Sequence, residues 1–487
     1  MQAGGLRKAL GPWSVVAFGV TNEIAAGLFF VSTQIQGTVP GAGDLVPWLM
    51  LAGGALTFLT VVAYRYFFAS GLIGAGGEYV IVSRALHPAA GFLATFLAWF
   101  GVTAGMGALA YTAPKFLSNA CSSIGWNAQA QFLSSNDGTL IAGLIMIWGV
   151  WLIHVRGVRI AGLLTVSAMC FVVAVAAAVI VTGFATTPTQ FEAALSARLH
   201  VQAANVLAAA PVRHADAGIA FWKALPLLFF GYLGLSTATQ TGGEAVNAQR
   251  SLATGVVIAV AIVTATYTAF TFAVYHAVPW QIVAGLAAMK QTAYTTATGL
   301  LGLVMPRWLA SLMNLFVAVI VVKTFLPYFL AQSRWLYAWS SDGFIHGIFS
   351  RTHARYETPV LALTLSALLG SLSLVESVAF GGYVFGVSAR VLSVMIVFFL
   401  MGLAMLLFPH CAPALYAQNT SAIARNRLAQ ILTGCSIMLF SLWFAVSVIV
   451  TSSAQSWYLQ PALQSAAVLA AGAVIYARSV RRRSVPA

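Results

Sequence analysis

The residues most able to do chemistry are a few charges set in apolar surroundings. Glu23 stands in the run Thr21-Asn22-Glu23-Ile24-Ala25-Ala26-Gly27, inside an apolar stretch from residue 11 to 36. A carboxylate at membrane depth is expensive and defaults to a functional reading. The chemistry open to it is reversible proton binding or pairing with a substrate's amino group. The plainer alternative is a structural carboxylate that pairs a buried cation or caps freed amides. Lys323 lies near the middle of another apolar run, 306–338. It could pair with Glu23 or snorkel to water. Arg390 could pair with Glu376 or line an inner cavity, and Arg65 is placed to snorkel. Glu244 and Arg250 fit a gate or loop better than a substrate site. Phe230, Tyr232 and Tyr111 are aromatic candidates for gating, although aromatics in membrane helices more often pack or anchor.

Other chemistries find no footing. No G-x-x-x-x-G-K-[ST] phosphate loop and no H-E-x-x-H are present. The eight histidines form no metal spacing. Cys121, Cys170, Cys411 and Cys435 are scattered, which fits neither a metal site nor a disulfide framework. Gly105-Met106-Gly107 imitates part of a dinucleotide fingerprint, but it sits in an apolar helical run with no preceding strand. Gly101 and Gly105 read instead as a helix-packing pair.

The elements that must position these residues follow from composition. Only 7% of the 487 residues are charged and 60% are hydrophobic, with mean hydropathy +0.90. A soluble domain carries roughly 25% charged residues, so this chain could not cover a soluble surface. Long continuous apolar runs argue for spanning helices rather than a membrane barrel, whose strands would alternate. About twelve such segments are expected, at 12–36, 45–69, 89–117, 139–155, 159–184, 219–241, 253–278, 306–338, 358–375, 379–408, 430–452 and 459–478. The first is read as a membrane helix, because it is too long for a signal-peptide core and contains Glu23.

Net charge is +14. With the N-terminus inside and twelve alternating helices, fifteen Lys and Arg fall on the internal side and six on the external side. The other three (Arg65, Lys323 and Arg390) fall within helices. This asymmetry predicts both termini in the cytoplasm and explains the basic balance without nucleic acid. The terminal Arg481-Arg482-Arg483 reads as an orientation signal, with anionic lipid as a second possible contact.

Two segments read as interrupted helices. One is Thr21 to Gly27; the other is Phe230-Gly231-Tyr232-Leu233-Gly234-Leu235-Ser236-Thr237. Small residues permit local unwinding, which membranes tolerate only where the backbone lines a cavity or is buried in protein. Each opens a five-helix block, and interrupted helices in corresponding positions of two halves point to a transporter site. Freed N–H and C=O groups can compensate both charges of a zwitterion without charged side chains.

At this point the sequence resembles the amino acid–polyamine–organocation (APC) permease superfamily. The resemblance rests on Ser333-Arg334-Trp335-Leu336-Tyr337-Ala338 with Asp342-Gly343, His353, Tyr356, Thr358, Pro359 and Val360. It rests also on Gly74-Ala75-Gly76-Gly77-Glu78-Tyr79-Val80 with Ser83-Arg84-Ala85-Leu86, on Arg156-Gly157-Val158-Arg159, and on Glu244 to Arg250. It implies a five-plus-five inverted repeat of the leucine-transporter type with two added helices, and alternating access. Carried over, the substrate's charged ends meet Ile24, Ala25, Ala26 and Gly27 of helix one and Phe230, Gly231, Tyr232 and Gly234 of helix six. Ala25 stands where the family usually has glycine, which would narrow the site. In sodium-coupled relatives an ion sits between helices one and eight, and some proton-coupled ones replace it with a helix-five lysine. Here Val172 holds that position, so Lys323 is expected to supply the cation from helix eight.

The sequence thus predicts an all-α polytopic membrane protein with one transport domain. Its first repeat is 12–184, its second 219–408, and its added helices 430–478. The expected function is secondary active transport of amino acids or related amines across the cytoplasmic membrane, coupled to protons through Glu23 and Lys323. An exchanger remains within the same class, and a non-transporting ligand-binding or accessory protein on the permease fold is the alternative outside it. The expected partners are a small-molecule substrate, protons and lipid. No cofactor, metal or enzymatic activity is expected.

Overall fold

The computed structural model describes residues 6–25, 27–39, 42–211, 217–291, 295–380, 384–452 and 460–484. Its described residues are helical throughout and contain no strand, only an isolated parallel bridge between Leu10 and Ala245. In chain order the helices are α1 (Pro12–Glu23), α2 (Ser32–Thr38), α3 (Val46–Phe68), α4 (Glu78–Ala85), α5 (Pro88–Ser123), α6 (Asn127–Ser134), α7 (Asn136–Val155) and α8 (Val158–Ala185). Next come α9 (Pro188–Leu199), α10 (Ala203–Ala209), α11 (Ala217–Leu228), α12 (Ser236–Gln240), α13 (Ala248–Ala277), α14 (Trp280–Ala288) and α15 (Ala297–Gly302). The remainder are α16 (Arg307–Lys323), α17 (Phe325–Ser341), α18 (Val360–Phe380), α19 (Val384–Cys411), α20 (Pro413–Ala417), α21 (Arg427–Ser452) and α22 (Pro461–Ser484).

Among the described residues, eleven helical stretches are long and apolar enough to cross a membrane. The sequence led to an expectation of about twelve. The segment at 219–241 is the one not among them, because it folds as two short helices around a turn instead of one long helix. Large apolar side chains face outward along the spans: Leu163, Val181 and Leu439 are 62%, 69% and 68% exposed. Such a surface suits lipid and would be an aggregation hazard in water.

The 36-residue α5 runs through the bundle and packs on α4, α16, α18, α19 and α22. At ~1.5 Å per residue it is about 54 Å long, enough to cross a bilayer and extend beyond it. Around α1 lie α8, α12, α13 and α17. That ring surrounds the first interrupted helix with protein, as bare backbone requires. The polar stretch 185–218 is built from α9 and α10; Arg213, His214 and Asp216 lie outside the described residues.

Candidate functional site

The first break follows from its residues. Pro12 starts α1 with a preset φ where its missing N–H costs nothing. The helix ends at Glu23, and Ile24 turns out of helical geometry with ψ 79°. The chain resumes as a wide π turn at Gly27–Val31 and then as α2. Single π turns inside helices recur at functional sites. Ala26 lies outside the described residues.

The second break has its own cause. Pro226 sits inside α11 and removes a backbone donor there. The helix then tightens into a 3-10 turn at Phe229–Tyr232 before α12 begins at Ser236. The two breaks press directly on each other. A Cβ on Gly27 would come within 2.8 Å of the Gly231 Cα, and one on Gly234 within 2.6 Å of the Glu23 backbone N. Only glycine permits this approach. Polar bonds lock the crossing. The Asn22 amide donates to the Gly234 carbonyl at 3.1 Å, and Thr237 donates to the Phe18 carbonyl at 3.0 Å. The Tyr267 hydroxyl donates to the Glu23 carbonyl and lies 3.0 Å from the Gly231 carbonyl.

At the crossing lies a narrow internal cavity. Helix one lines it with Asn22, Glu23, Ala25 and Gly27, and helix six with Phe230, Gly231, Leu233 and Gly234. Leu109 of α5, Thr324 at the junction of α16 and α17, Tyr328 of α17, and Arg390 of α19 complete the wall. The Glu23 carboxyl is buried, and neither oxygen has a hydrogen-bond partner among the described residues; the Leu235 amide faces it without reaching bonding geometry. Lys323 does not pair with it. Its buried ammonium instead donates to the carbonyls of Thr21 and, at 2.7 Å, Ile24. The carbonyls freed by the first break are thus capped by a cation from the facing helix. Val172 on α8 is fully buried and brings no charge.

Below the crossing, the end of the bundle where the chain starts is tightly closed. Arg334 and Glu244 form a two-bond ion pair, 2.6 and 3.0 Å, with both side chains 1% exposed. The amides of Ala9 and Leu10 donate to the Glu244 carbonyl. Arg84 pairs with Asp342 at 2.6 Å, and Tyr79 donates to the same carboxylate. Between this closure and the cavity sits Glu78, buried at the start of α4. Its oxygens accept from Tyr64 at 2.7 Å, Gln240 at 2.8 Å and Thr239 at 3.3 Å, all neutral donors. Burial pushes its carboxyl up to about 7, against the pull of those bonds.

The cavity brings together Glu23, Ala25, Gly27, Phe230, Gly231 and Gly234 from the expected set. Two expected members present no side chain to it. Ile24 points into the core and contributes its carbonyl to Lys323. Tyr232 is turned away, because its hydroxyl donates to the Met50 carbonyl of α3 at 2.7 Å. Tyr111 is half-buried under the Lys115 ammonium, 3.6 Å from its ring centre, and does not line the cavity. Arg390 lines the cavity and forms no ion pair with Glu376. Arg65 and Arg250 are exposed, as loop or interface residues are. Sequence reasoning missed Asn22, Thr237 and Tyr267, whose partners lie on other helices. It also left Glu78 without a role, although a lone acid in the glycine-rich turn was the visible signal.

The sequence profile of the amino acid permease family matches residues 10–472. Shorter stretches resemble characterised proteins. The branched-chain amino acid permease BcaP of Bacillus subtilis is 24% identical over 32% of this chain and 33% of its own length. The vacuolar cationic amino acid transporter 4 of Arabidopsis thaliana is 27% identical over 31% of this chain and 24% of its own. The methylthioribose transporter of Bacillus subtilis is 23% identical over 30% of each. The matches therefore span a third or less of these relatives. The family consists of permeases, not enzymes. From the profile's near-complete coverage and the helical architecture around two interrupted helices, the chain belongs to the amino acid permease family of the APC superfamily.

Proposed function

We propose that this protein is a secondary active transporter of amino acids or related amines that works by alternating access and couples to protons. The observation that carries the reading is the crossing of the two interrupted helices at a cavity holding a buried Glu23 that forms no ion pair among the described residues. Freed backbone groups and Glu23 offer complementary partners to a zwitterion or amine. In this reading Glu23 is the proton- or amine-binding group. Ala25, Gly27, Phe230, Gly231 and Gly234 line the substrate's path, with Ile24 and Tyr232 positioning the backbone around it. Lys323 holds the helix-one carbonyls that a sodium ion would otherwise bridge, which supports coupling without sodium. The inverted repeat (12–184 and 219–408), the added helices 430–478, and cytoplasmic termini in the cell's cytoplasmic membrane belong to the same proposal.

The printed names of the relatives range over branched-chain and cationic amino acids and methylthioribose, so a panel is the proper test. Purified protein in proteoliposomes should exchange radiolabelled amino acid or amine in counterflow, with the same compounds raising its melting temperature. Binding without flux would favour a non-transporting ligand-binding protein on the permease fold. Obligatory exchange without net uptake would favour an exchanger.

A further inference from the structure

We propose that Arg390 is a specificity-determining residue that takes a second carboxylate of the substrate, making the transported class amino acids with acidic side chains. This deepens the transporter reading and rests on it. Arg390 lies on α19, is 2% exposed and lines the cavity at the crossing. Its guanidinium stands 6.0 Å from the Tyr328 ring centre and interacts with that side chain's hydroxyl, and one Nη donates to the Leu233 carbonyl at 3.3 Å. The other, Nη1, has no hydrogen-bond partner among the described residues. A buried guanidinium with an unfilled donor is costly, and a carboxylate fills such a fork with two parallel bonds.

No carboxylate of the protein does this. Among the described residues Arg390 forms no ion pair. Glu78 acts on Arg390 through space but gives its oxygens to Tyr64, Thr239 and Gln240. Glu244 is spent on Arg334. Glu23 shares the cavity and is the natural partner for an ammonium. In the proposed mode the substrate's α-carboxylate meets freed backbone amides and its ammonium meets Glu23. The Nη1 of Arg390 then offers a second carboxylate a donor that a neutral amino acid leaves unfilled.

A second cavity points the same way. It lies between the same helices, lined by Asn119 and Ser122 of α5 and Ala310 and Asn314 of α16. Asn119 is ten residues beyond Leu109 on α5, and Asn314 of α16 is ten residues before Thr324, where α16 meets α17. At the helical rise the two cavities are therefore about 15 Å apart along both elements. The second cavity is also lined by Arg198, His200 and Arg307, all exposed, and by no acidic residue. Arg198 is held there by the Gly302 and Met305 carbonyls, at 3.4 and 2.6 Å. A cleft lined by one sign of charge concentrates ligands of the other sign. An anionic substrate would be drawn into this vestibule and would find the unfilled Arg390 donor below it.

The test compares glutamate with its neutral isostere glutamine in proteoliposomes of the full chain. Wild-type protein should carry glutamate and aspartate, with glutamine, leucine and arginine roughly tenfold slower or worse. Arg390→Gln should lower glutamate transport about 10- to 100-fold, the span expected for a lost charge-assisted bond, while glutamine transport holds or rises. Arg390→Lys should restore part of the glutamate rate. Arg307→Gln should raise the glutamate KM at low salt and leave kcat unchanged. Equal wild-type transport of glutamine and glutamate, with Arg390→Gln lowering both in proportion, would overturn the acidic class and make Arg390 an α-carboxylate ligand. A glutamate-specific thermal shift without flux of any amino acid would retain Arg390's assignment and overturn the transporter reading instead. Neither shift nor flux with glutamate would overturn the proposal outright.

Discussion

Glu23, Lys323 and Glu78 are three buried ionisable groups with three different settings, and each sets a separate expectation. Among the described residues neither Glu23 carboxyl oxygen has a hydrogen-bond partner, and in the proposed cycle this carboxyl carries the proton. Glu23→Gln should abolish proton-driven accumulation and leave counterflow measurable, because exchange requires no net proton movement. Unchanged accumulation would remove Glu23 from coupling. Lys323 caps two carbonyls. Lys323→Met would leave both buried and unsatisfied, a cost of about 1–3 kcal/mol for each group. Its melting temperature should fall and its transport should be lost, whereas wild-type dependence on sodium would contradict the role given to the ammonium. Glu78 is held up to about 7 by burial, above the ordinary carboxylate value of about 4.3. A raised folded-state pKa contributes stability that is complete below the unfolded value and is lost as pH rises through 7. The wild-type melting temperature should therefore decline between about pH 4.5 and 7 more steeply than that of Glu78→Gln. Parallel pH profiles for the two proteins would contradict that assignment.

At the scale of elements, the breaks were legible because their residues are poor helix propagators: Gly27, Gly231 and Gly234. Pro226, which helps end α11, is a further breaker that the sequence reading did not use. Their mutual contact was not legible. Which glycine meets which depends on the packing of α1 against α12, two segments over 200 residues apart. The same holds for Tyr232, whose aromatic character suggested a gate but whose hydroxyl found Met50 on α3. Gly27→Ala places a methyl 2.8 Å from the Gly231 Cα, where no flexible side chain can yield. Transport should fall at least tenfold while the protein still inserts, and near-normal flux would show that the breaks separate easily. The Arg334–Glu244 pair makes a contrasting prediction. Removing one partner of a buried pair costs about 3–5 kcal/mol, so Arg334→Ala should be far less thermostable than wild type. A shift within 1 °C would mean that the closure is held by other contacts.

At the scale of the whole molecule, the small charged fraction already implied helices in lipid, and the expected spans correspond to the helical stretches with one departure. That departure, the segment at 219–241, is the place where an unbroken helix would have left no site. Charge placement was legible only by category. The loop arginines could be sorted by side, but the surroundings of Arg390 and the capping of Thr21 and Ile24 depend on distances that no sequence period encodes. The interrupted helices and Glu23 are proposed to form a proton-coupled site. The most direct test is accumulation of a radiolabelled counterflow substrate in sodium-free proteoliposomes under an imposed inward proton gradient. Wild-type protein should concentrate the substrate above equilibrium, collapse to equilibration when a protonophore is added, and lose the accumulation in Glu23→Gln. Substrate that merely equilibrates with the gradient intact, or accumulates only when sodium is supplied, would contradict the claim.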